Sequence, residues 1–386
     1  MTTLRAIAED AVARPSAGIR LSGLARYAGE LTRALIAAAP PGCDVELLFA
    51  ARRGNELADA TAQFPGATRS TTAPLARRAL ATAWATGSRV GAPHGLIHAP
   101  SLLAPLARQG RNSAAKSAQV VVTVHDTIAW THPASIGRAE ADWTKRMARR
   151  AARFADAIVV PTHAVAADLA DRIPLGERVR VIPGGISAAL TLPDEPDVRS
   201  SWLGLPERFV LASGSMDPRT GIDALIRAAA LPDFQSTPLL IVGDDAWRGR
   251  RITEAAMFAG LPEGRVRPLG TVSDSDLALL LSRAAAYVAP SLAEGFGLGA
   301  LEALTFGTPL VHSDAPAHLE VAGGAGISVA RADPGTTYAE RLAAAVGSVL
   351  DGTADTAALT VLGRDRAKAF SWAASGAQVW QLHAEL

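Results

Sequence analysis

Short apolar runs alternate with longer Ala- and Leu-rich stretches of helical period along the whole chain. A run of strand length with no polar face suits a strand buried on both sides, which is the setting of a parallel sheet between helices. The alternation therefore predicts an α/β architecture built on parallel sheets. Strands are expected at Val45–Phe49, Leu96–Ala99, Val120–Val124, Ala157–Val160 and Val179–Ile182, then at Phe209–Ala212, Leu239–Val242, Ala286–Ala289 and Pro309–His312. Helices are expected near Leu24–Ala38, Glu140–Phe154, Ala164–Arg172, Gly221–Ala230, Ile252–Ala259, Asp274–Ala285, Leu298–Phe306 and Tyr338–Leu350.

A length of 386 residues exceeds what one core usually serves and favours two domains. The segment Gly184–Pro206 carries Pro193, Pro196 and Pro206 among several acids, a composition suited to a linker. The expected division is a first domain over 1–185, a linker over 186–205 and a second domain over 206–365. A helical tail over 366–386, with Trp372 and Trp380 to bury, is expected to cross back to the first domain.

The overall charge of +1 conceals a division. Residues 1–185 hold 23 Lys+Arg against 14 Asp+Glu, a net of +9, and the remainder hold 15 against 23, a net of −8. Within the basic half, Lys145, Arg146, Arg149, Arg150 and Arg153 repeat along one helical face. That face is either solvated or docks on an anionic membrane surface or acceptor phosphate. Nucleic acid is not expected as a partner, because aromatic residues are not interleaved with the basic ones. The single cysteine, Cys43, excludes an intramolecular disulfide. Glu9 and Asp10 interrupt the place where a secretory signal needs its apolar run. The longest uncharged stretch, Val90–Ala107, contains Pro93, Pro100 and Pro105 and makes a poor membrane span. A cytoplasmic location, with peripheral contact at the inner membrane face, is the resulting expectation.

The segment Ala286–Pro309 combines a strand, a glycine-rich turn and a helix opening at Gly297 or Leu298, with Gly307 as its terminator. Glycines admit a ligand close to the backbone, and free N–H groups at a helix start favour an anion. Glu294 in the turn and Glu302 one turn into the helix are placed to reach one crevice at the strand carboxyl ends. Asp274-Ser275-Asp276 has the spacing of a metal-binding DxD, but Ser273 followed by Asp276 reads better as a helix cap. The histidines and lone cysteine have no ligand spacing, so no protein-held metal and no cofactor is expected.

Glu294 and Glu302 within EGFGLGALEA, preceded by Pro290-Ser291 and followed by Gly307-Thr308-Pro309, resemble the EX7E motif of retaining GT-B glycosyltransferases, family 4. The resemblance extends over nearly the whole chain. Gly23-Leu24-Ala25-Arg26-Tyr27 is similar to the family's GxGRY loop, VVTVHD with His132-Pro133 to its His-Asp strand, and ASGSMDPRTG to its G-x-x-x-P-R-K stretch.

The resemblance implies two Rossmann-like domains facing a cleft and the transfer of a hexose from a nucleotide-diphosphate sugar to a glycan, lipid or small-molecule hydroxyl. GDP-mannose is the first donor expected. It further implies that Glu302 holds the ribose and that Glu294 holds the transferred sugar with the amides of Gly295, Phe296 and Gly297, beside Leu298. His125, next to Asp126, would lie near the sugar's reactive face. Two positions depart from the family: Ala25 replaces a glycine, and Thr220 replaces the lysine that neutralises the diphosphate, with a neutral Ser215 nearby. Arg219 is then the cation expected to take over that charge. The rival readings are a sugar-nucleotide epimerase of the same fold and a noncatalytic binder of nucleotide sugars.

Overall fold

A computed structural model of the chain describes residues 2–12, 23–108 and 118–386. These form two compact units. The first comprises residues up to Gly185 together with Ser371–Leu386, and the second comprises Ile186–Phe370.

The first unit holds seven strands: β1 (Thr2–Ile7), β2 (Cys43–Phe49), β3 (Arg69–Thr72), β4 (Gly95–Ala99), β5 (Ala118–Thr123), β6 (Ala157–Val160) and β7 (Val179–Val181). They form one parallel sheet in the order β3-β2-β1-β4-β5-β6-β7. One face is covered by a cluster around Trp84, Ile97, Met147 and Leu169, the other by Leu4, Leu31, Leu35, Phe49 and Trp380. The helix Trp372–Glu385 lies on the helix Gly23–Ala37, where the Trp380 indole donates to Leu35 O at 2.9 Å. A Cβ at Gly376 would sit 2.7 Å from Ala34 O, so this helix pair is as close as glycine permits.

The second unit contains β8 (Val210–Ser213), β9 (Leu239–Val242), a small hairpin of β10 (Ala246–Trp247) and β11 (Arg250–Arg251), then β12 (Val266–Gly270), β13 (Ala286–Ala289), β14 (Leu310–Ser313) and β15 (Ile327–Val329). Its main sheet is parallel, in the order β12-β9-β8-β13-β14-β15. Both main sheets are thus doubly wound, and in each the strand order reverses once, between β1 and β4 and between β8 and β13.

The strands missed by periodicity have physical reasons. β3, β12 and β15 are edge strands. β3 is Arg-Ser-Thr-Thr, and β12 carries Arg267 and Pro268, the latter tolerated where no further strand needs its N–H. β1 is central yet mixed in character, with Arg5 reaching Glu46 on β2 at 3.0 Å.

The expected linker is structured. Within it, the helix Pro196–Trp202 belongs to the second unit, and the Arg199 guanidinium forks onto Asp276 at 2.6 and 2.7 Å. The expected tail is the helix Trp372–Glu385, preceded by a further helix. Thr356–Ala367 stays with the second unit, Thr360 donating to Gly307 O at 2.7 Å, while Trp372–Glu385 lies in the first.

Arg199 holds the Asp276 carboxyl below the ordinary carboxylate range. A lowered folded-state pKa stabilises the native state above the unfolded value of about 3.9 and loses that effect as pH falls through the lowered value. Arg199→Met is therefore expected to melt below the parent near neutral pH, with the gap closing on acidification through that range. Arg199 also lies over the Trp202 ring at 4.4 Å, and melting curves that stay equally separated into strong acid would locate the loss in that contact instead.

Candidate functional site

At the reversal point of the second sheet, the loop after β8 meets the loop after β13. Gly221 is left-handed at φ +70°, and a Cβ there would lie 2.1 Å from Pro290 O. Only glycine allows the two loops to approach so closely. The contact continues as a backbone bond from Leu292 N to Arg219 O at 2.7 Å.

Arg219, expected from the sequence to meet the diphosphate charge, is braced by its own loops. One terminal nitrogen donates to Ala293 O at 3.1 Å and lies 3.7 Å from Glu294 Oε1, and its Nε is 3.8 Å from Asp217. Its charge therefore sits between two carboxylates, and its side chain ties the two loops together. Thr220, expected beside the donor, is turned inward: its buried hydroxyl shares a proton between Ser215 O and Asp217 O at 2.7 and 2.8 Å. The residue in the family's lysine position is engaged in the turn itself. Ser215 Oγ accepts from Asp217 N at 3.3 Å, so it too serves the turn.

In the glycine-rich loop, Ser291 Oγ donates to Glu294 Oε1 at 2.9 Å and orients that half-buried carboxylate. The Phe296 ring packs inward, edge-on to Phe370 at 5.7 Å, which leaves its backbone as the part available to a ligand. Gly295 and Gly297 are buried, Gly297 is left-handed at φ +82°, and Leu298 opens the helix Leu298–Phe306. Glu302 is 2% exposed, the one acid in an apolar helix flanked by Leu301, Ala303 and Leu304. A carboxylate kept in such a place costs several kcal/mol unless its oxygens are bonded.

The first unit has its own reversal point. His125 follows β5, and its Nε2–H donates to Pro100 O beyond β4 at 2.7 Å. The ring stands edge-on to Tyr27 at 4.6 Å, and Tyr27 donates to Ile182 O at 3.2 Å. Burial lowers the His125 pKa, so the imidazole is neutral with Nδ1 as its remaining acceptor. Asp126 accepts from Ile128 N at 2.9 Å just ahead of the short helix Ile128–Thr131, a structural use the sequence did not suggest. Gly23 and Ala25 lie in the first turn of the helix Gly23–Ala37, and a Cβ at Gly23 would meet nothing within 4 Å.

Sequence reasoning missed a polar cluster at these strand ends. Asp10, beyond β1, accepts from Ser101 at 2.7 Å and from Arg77 at 2.7 Å, and Glu9 accepts from Arg52 at 2.9 Å. No motif joins residues so far apart in the chain. Asp276 of the DxD spacing is held by Arg199, while Ser273 Oγ caps the helix by accepting from Asp276 N at 3.0 Å. Among the described residues, no three of His, Cys, Asp or Glu are grouped to hold a metal ion.

Comparison with known proteins bears on the family and the fold. The family model "Glycosyltransferase Family 4" matches residues 21–190, and "Glycosyl transferases group 1" matches residues 207–351. An O-antigen chain mannosyltransferase B of Escherichia coli is 34% identical over 189 residues, 48% of this chain and 47% of that one. An MMP alpha-(1->4)-mannosyltransferase of Mycolicibacterium hassiacum is 31% identical over 273 residues, 67% of this chain and 63% of that one. The chain thus spans about half to two thirds of the length of these curated relatives. Among solved structures, Anabaena HepE in complex with UDP and glucose has a TM-score of 0.70 at 21% identity, over 100% of both chains. Taken with the two doubly wound units, these matches place the chain in glycosyltransferase family 4, with the GT-B fold and likeness to its mannosyltransferases.

Proposed function

We propose that the protein is a retaining hexosyltransferase that takes its sugar from a nucleotide-diphosphate donor and needs no protein-held metal. The observation that carries this is the pair Glu294 and Glu302, presented by one strand–loop–helix unit at the reversal point of the second sheet. A buried carboxylate accepts from two vicinal hydroxyls at once, with about twice the strength of neutral bonds, which suits Glu302 to a ribose. Glu294, oriented by Ser291, suits the hydroxyls of the transferred sugar, together with the backbone of Gly295, Phe296 and Gly297. Arg219 supplies the nearby cation for the diphosphate. For His125 we propose the contact with the sugar's reactive face that the family resemblance implies.

In the proposed reaction the bond from the anomeric carbon to the β-phosphate oxygen breaks. The acceptor oxygen bonds to that carbon on the same face, and its proton passes to the leaving phosphate. The mannosyltransferase relatives make GDP-mannose the first donor to test, and the UDP and glucose bound by HepE make UDP-glucose the second. The acceptor is a hydroxyl of a glycan, lipid or small molecule.

A second proposal rests on the helix Arg138–Phe154. Among the described residues, Lys145, Arg146, Arg149 and Arg153 form no ion pair, whereas Arg150 is drawn in to Leu106 O and lies over the Phe154 ring at 5.0 Å. Four unneutralised cations on one helix face suit a peripheral contact with an anionic bilayer, worth about 1 kcal/mol each near such a surface. No helix among the described residues is long and apolar enough to cross a membrane.

A donor panel incubated with and without acceptors, in the presence and absence of EDTA, tests the main proposal. Glycoside formed with the anomeric configuration kept, undiminished by chelator, is the expected result. Altered nucleotide sugar without acceptor would mark an epimerase, and binding without turnover a noncatalytic protein.

Glu302→Gln is expected to weaken nucleoside diphosphate binding by about 1.5–3 kcal/mol in calorimetry. Arg219→Ala is expected to lower kcat about 10²–10³-fold. Unchanged affinity would remove Glu302 from the ribose, and near-parental turnover would move the diphosphate charge to another group.

For the basic helix, the protein should co-sediment with vesicles containing phosphatidylglycerol but not with phosphatidylcholine alone. Arg146→Glu with Arg149→Glu should abolish this, while turnover of a water-soluble acceptor is kept. Equal sedimentation of parent and variant would rule this contact out.

A further inference from the structure

The loop that carries Glu294 is held by its carbonyls. Four consecutive backbone oxygens, from Pro290 to Ala293, each accept a hydrogen bond from a side chain of a different part of the second unit. The Tyr338 hydroxyl, at the start of the helix Tyr338–Leu350, donates to Pro290 O at 2.9 Å. Ser313 Oγ, at the end of β14, donates to Ser291 O at 2.6 Å. Arg331, just beyond β15, donates from its guanidinium to Leu292 O. Arg219, after β8, donates to Ala293 O. Irregular backbone of this kind has no ladder to fix it, so its shape is set by whatever its polar groups bond to.

Each donor is itself fixed. Tyr338 follows a capping box in which Thr337 Oγ1 accepts from Glu340 N at 3.2 Å and Glu340 accepts from Thr337 N at 2.6 Å. Burial keeps the Tyr338 hydroxyl protonated as a donor. The single Ser313 proton goes to Ser291 O, so the buried His318 must donate from Nδ1 to Ser313 Oγ, at 2.9 Å. Burial pushes the His318 pKa down to about 3, which leaves the ring neutral and locked in that tautomer. Its Cδ2 also lies 2.7 Å from where a Cβ on Gly297 would stand, so the same ring bears on the far end of the loop. Arg331 is anchored by Asp314 Oδ1, which accepts from its Nε at 2.6 Å and its backbone N at 3.0 Å.

We propose that Tyr338, Ser313 and Arg331 are positioning residues that hold the segment leading into Glu294–Gly297 in the geometry needed to grip the transferred sugar. None belongs to the EGFGLGALEA motif, and none is argued to touch the donor. They act through the carbonyls of Pro290, Ser291 and Leu292, and Ser313 is itself supported by His318. The consequence for the sugar rests on the function proposed above, whereas the consequence for the loop does not. Fixing a binding group before the ligand arrives matters because a misplacement of about 1 Å costs on the order of 10²-fold in rate.

The test uses the full chain with Tyr338→Phe, Ser313→Ala and Arg331→Lys. Tyr338→Phe and Ser313→Ala delete the donating hydroxyl, and Arg331→Lys keeps the charge but loses the fork. Amide hydrogen exchange should accelerate in residues 290–297 and remain at the parent's level in the rest of the second unit. With a donor that the parent turns over, kcat should fall about 10–10²-fold, while affinity for the nucleoside diphosphate, assigned to Glu302, stays within about twofold. Ser313→Thr, which keeps the hydroxyl, should restore both readouts. Parental exchange in residues 290–297 for all three variants overturns the proposal. So does accelerated exchange with kcat unchanged, because the loop's shape would then not matter to the sugar. A parent that turns over no donor defeats the proposed function instead, and the positioning claim is then decided by the exchange data alone.

Discussion

A sheet whose strands all run parallel must be covered on both faces, and that constraint organises this protein. β6 and β9 are buried at every residue, so neither sheet can turn a face to water. Each strand must return through a crossover to start again at the same edge, and the crossovers supply the covering helices. It follows that the carboxyl ends of all strands in a sheet lie on one side, with their loops side by side. Where the winding reverses, the connections from two neighbouring strands run to opposite faces of the sheet, and open α/β sheets bind ligands at that point. Both reversal points here carry the groups with chemical interest: Arg219, Glu294 and Glu302 in one unit, His125 and the Asp10 cluster in the other.

The chain uses arginine for nearly all its positive charge, with only three lysines in 386 residues. Its structural reach shows at several joints. Arg199 forks onto Asp276 and keeps a supposed linker on the second unit, Arg331 spans Asp314 and Leu292 O, and Arg219 spans the two loops at the reversal point. A lysine presents one compact ammonium and cannot span two acceptors in a fixed plane. The replacement of the family's lysine by an inward threonine at position 220 therefore leaves a cation that is structural as well as electrostatic. Arg219 is held by the loop it braces, which keeps its charge in place without a ligand.

Much of the fold was legible because periodicity reports burial directly. Leu239–Val242, Ala157–Val160 and Leu298–Phe306 were read to the residue, since their patterns are set by burial alone. Edge strands such as β3 escaped because one side of an edge has no neighbour to demand apolar or branched residues. The candidate site was legible only where it is contiguous. Glu294 and Glu302 share one strand–turn–helix unit, so their spacing survives in the sequence. Tyr338, Ser313 and Arg331 come from three separate elements, and nothing local marks a tyrosine or serine as the partner of a carbonyl many residues away.

What the amino-acid sequence determined by itself is what short-range physics determines: which segments are strands and helices, and where a glycine-rich turn opens a helix beneath a carboxylate. What only the tertiary structure decided is which polar groups were already taken. Thr220 stood in a ligand-binding position by its resemblance to the family's motif, and its hydroxyl is bonded within its own turn. Asp276 had the spacing of a metal ligand and is held by Arg199. Asp126 sat beside a histidine in a catalytic-looking pair, and one of its oxygens accepts from Ile128 N. A side chain's identity sets which bonds it can make, but whether a neighbour in its own turn or a residue of a distant segment claims it is settled only once the chain has folded.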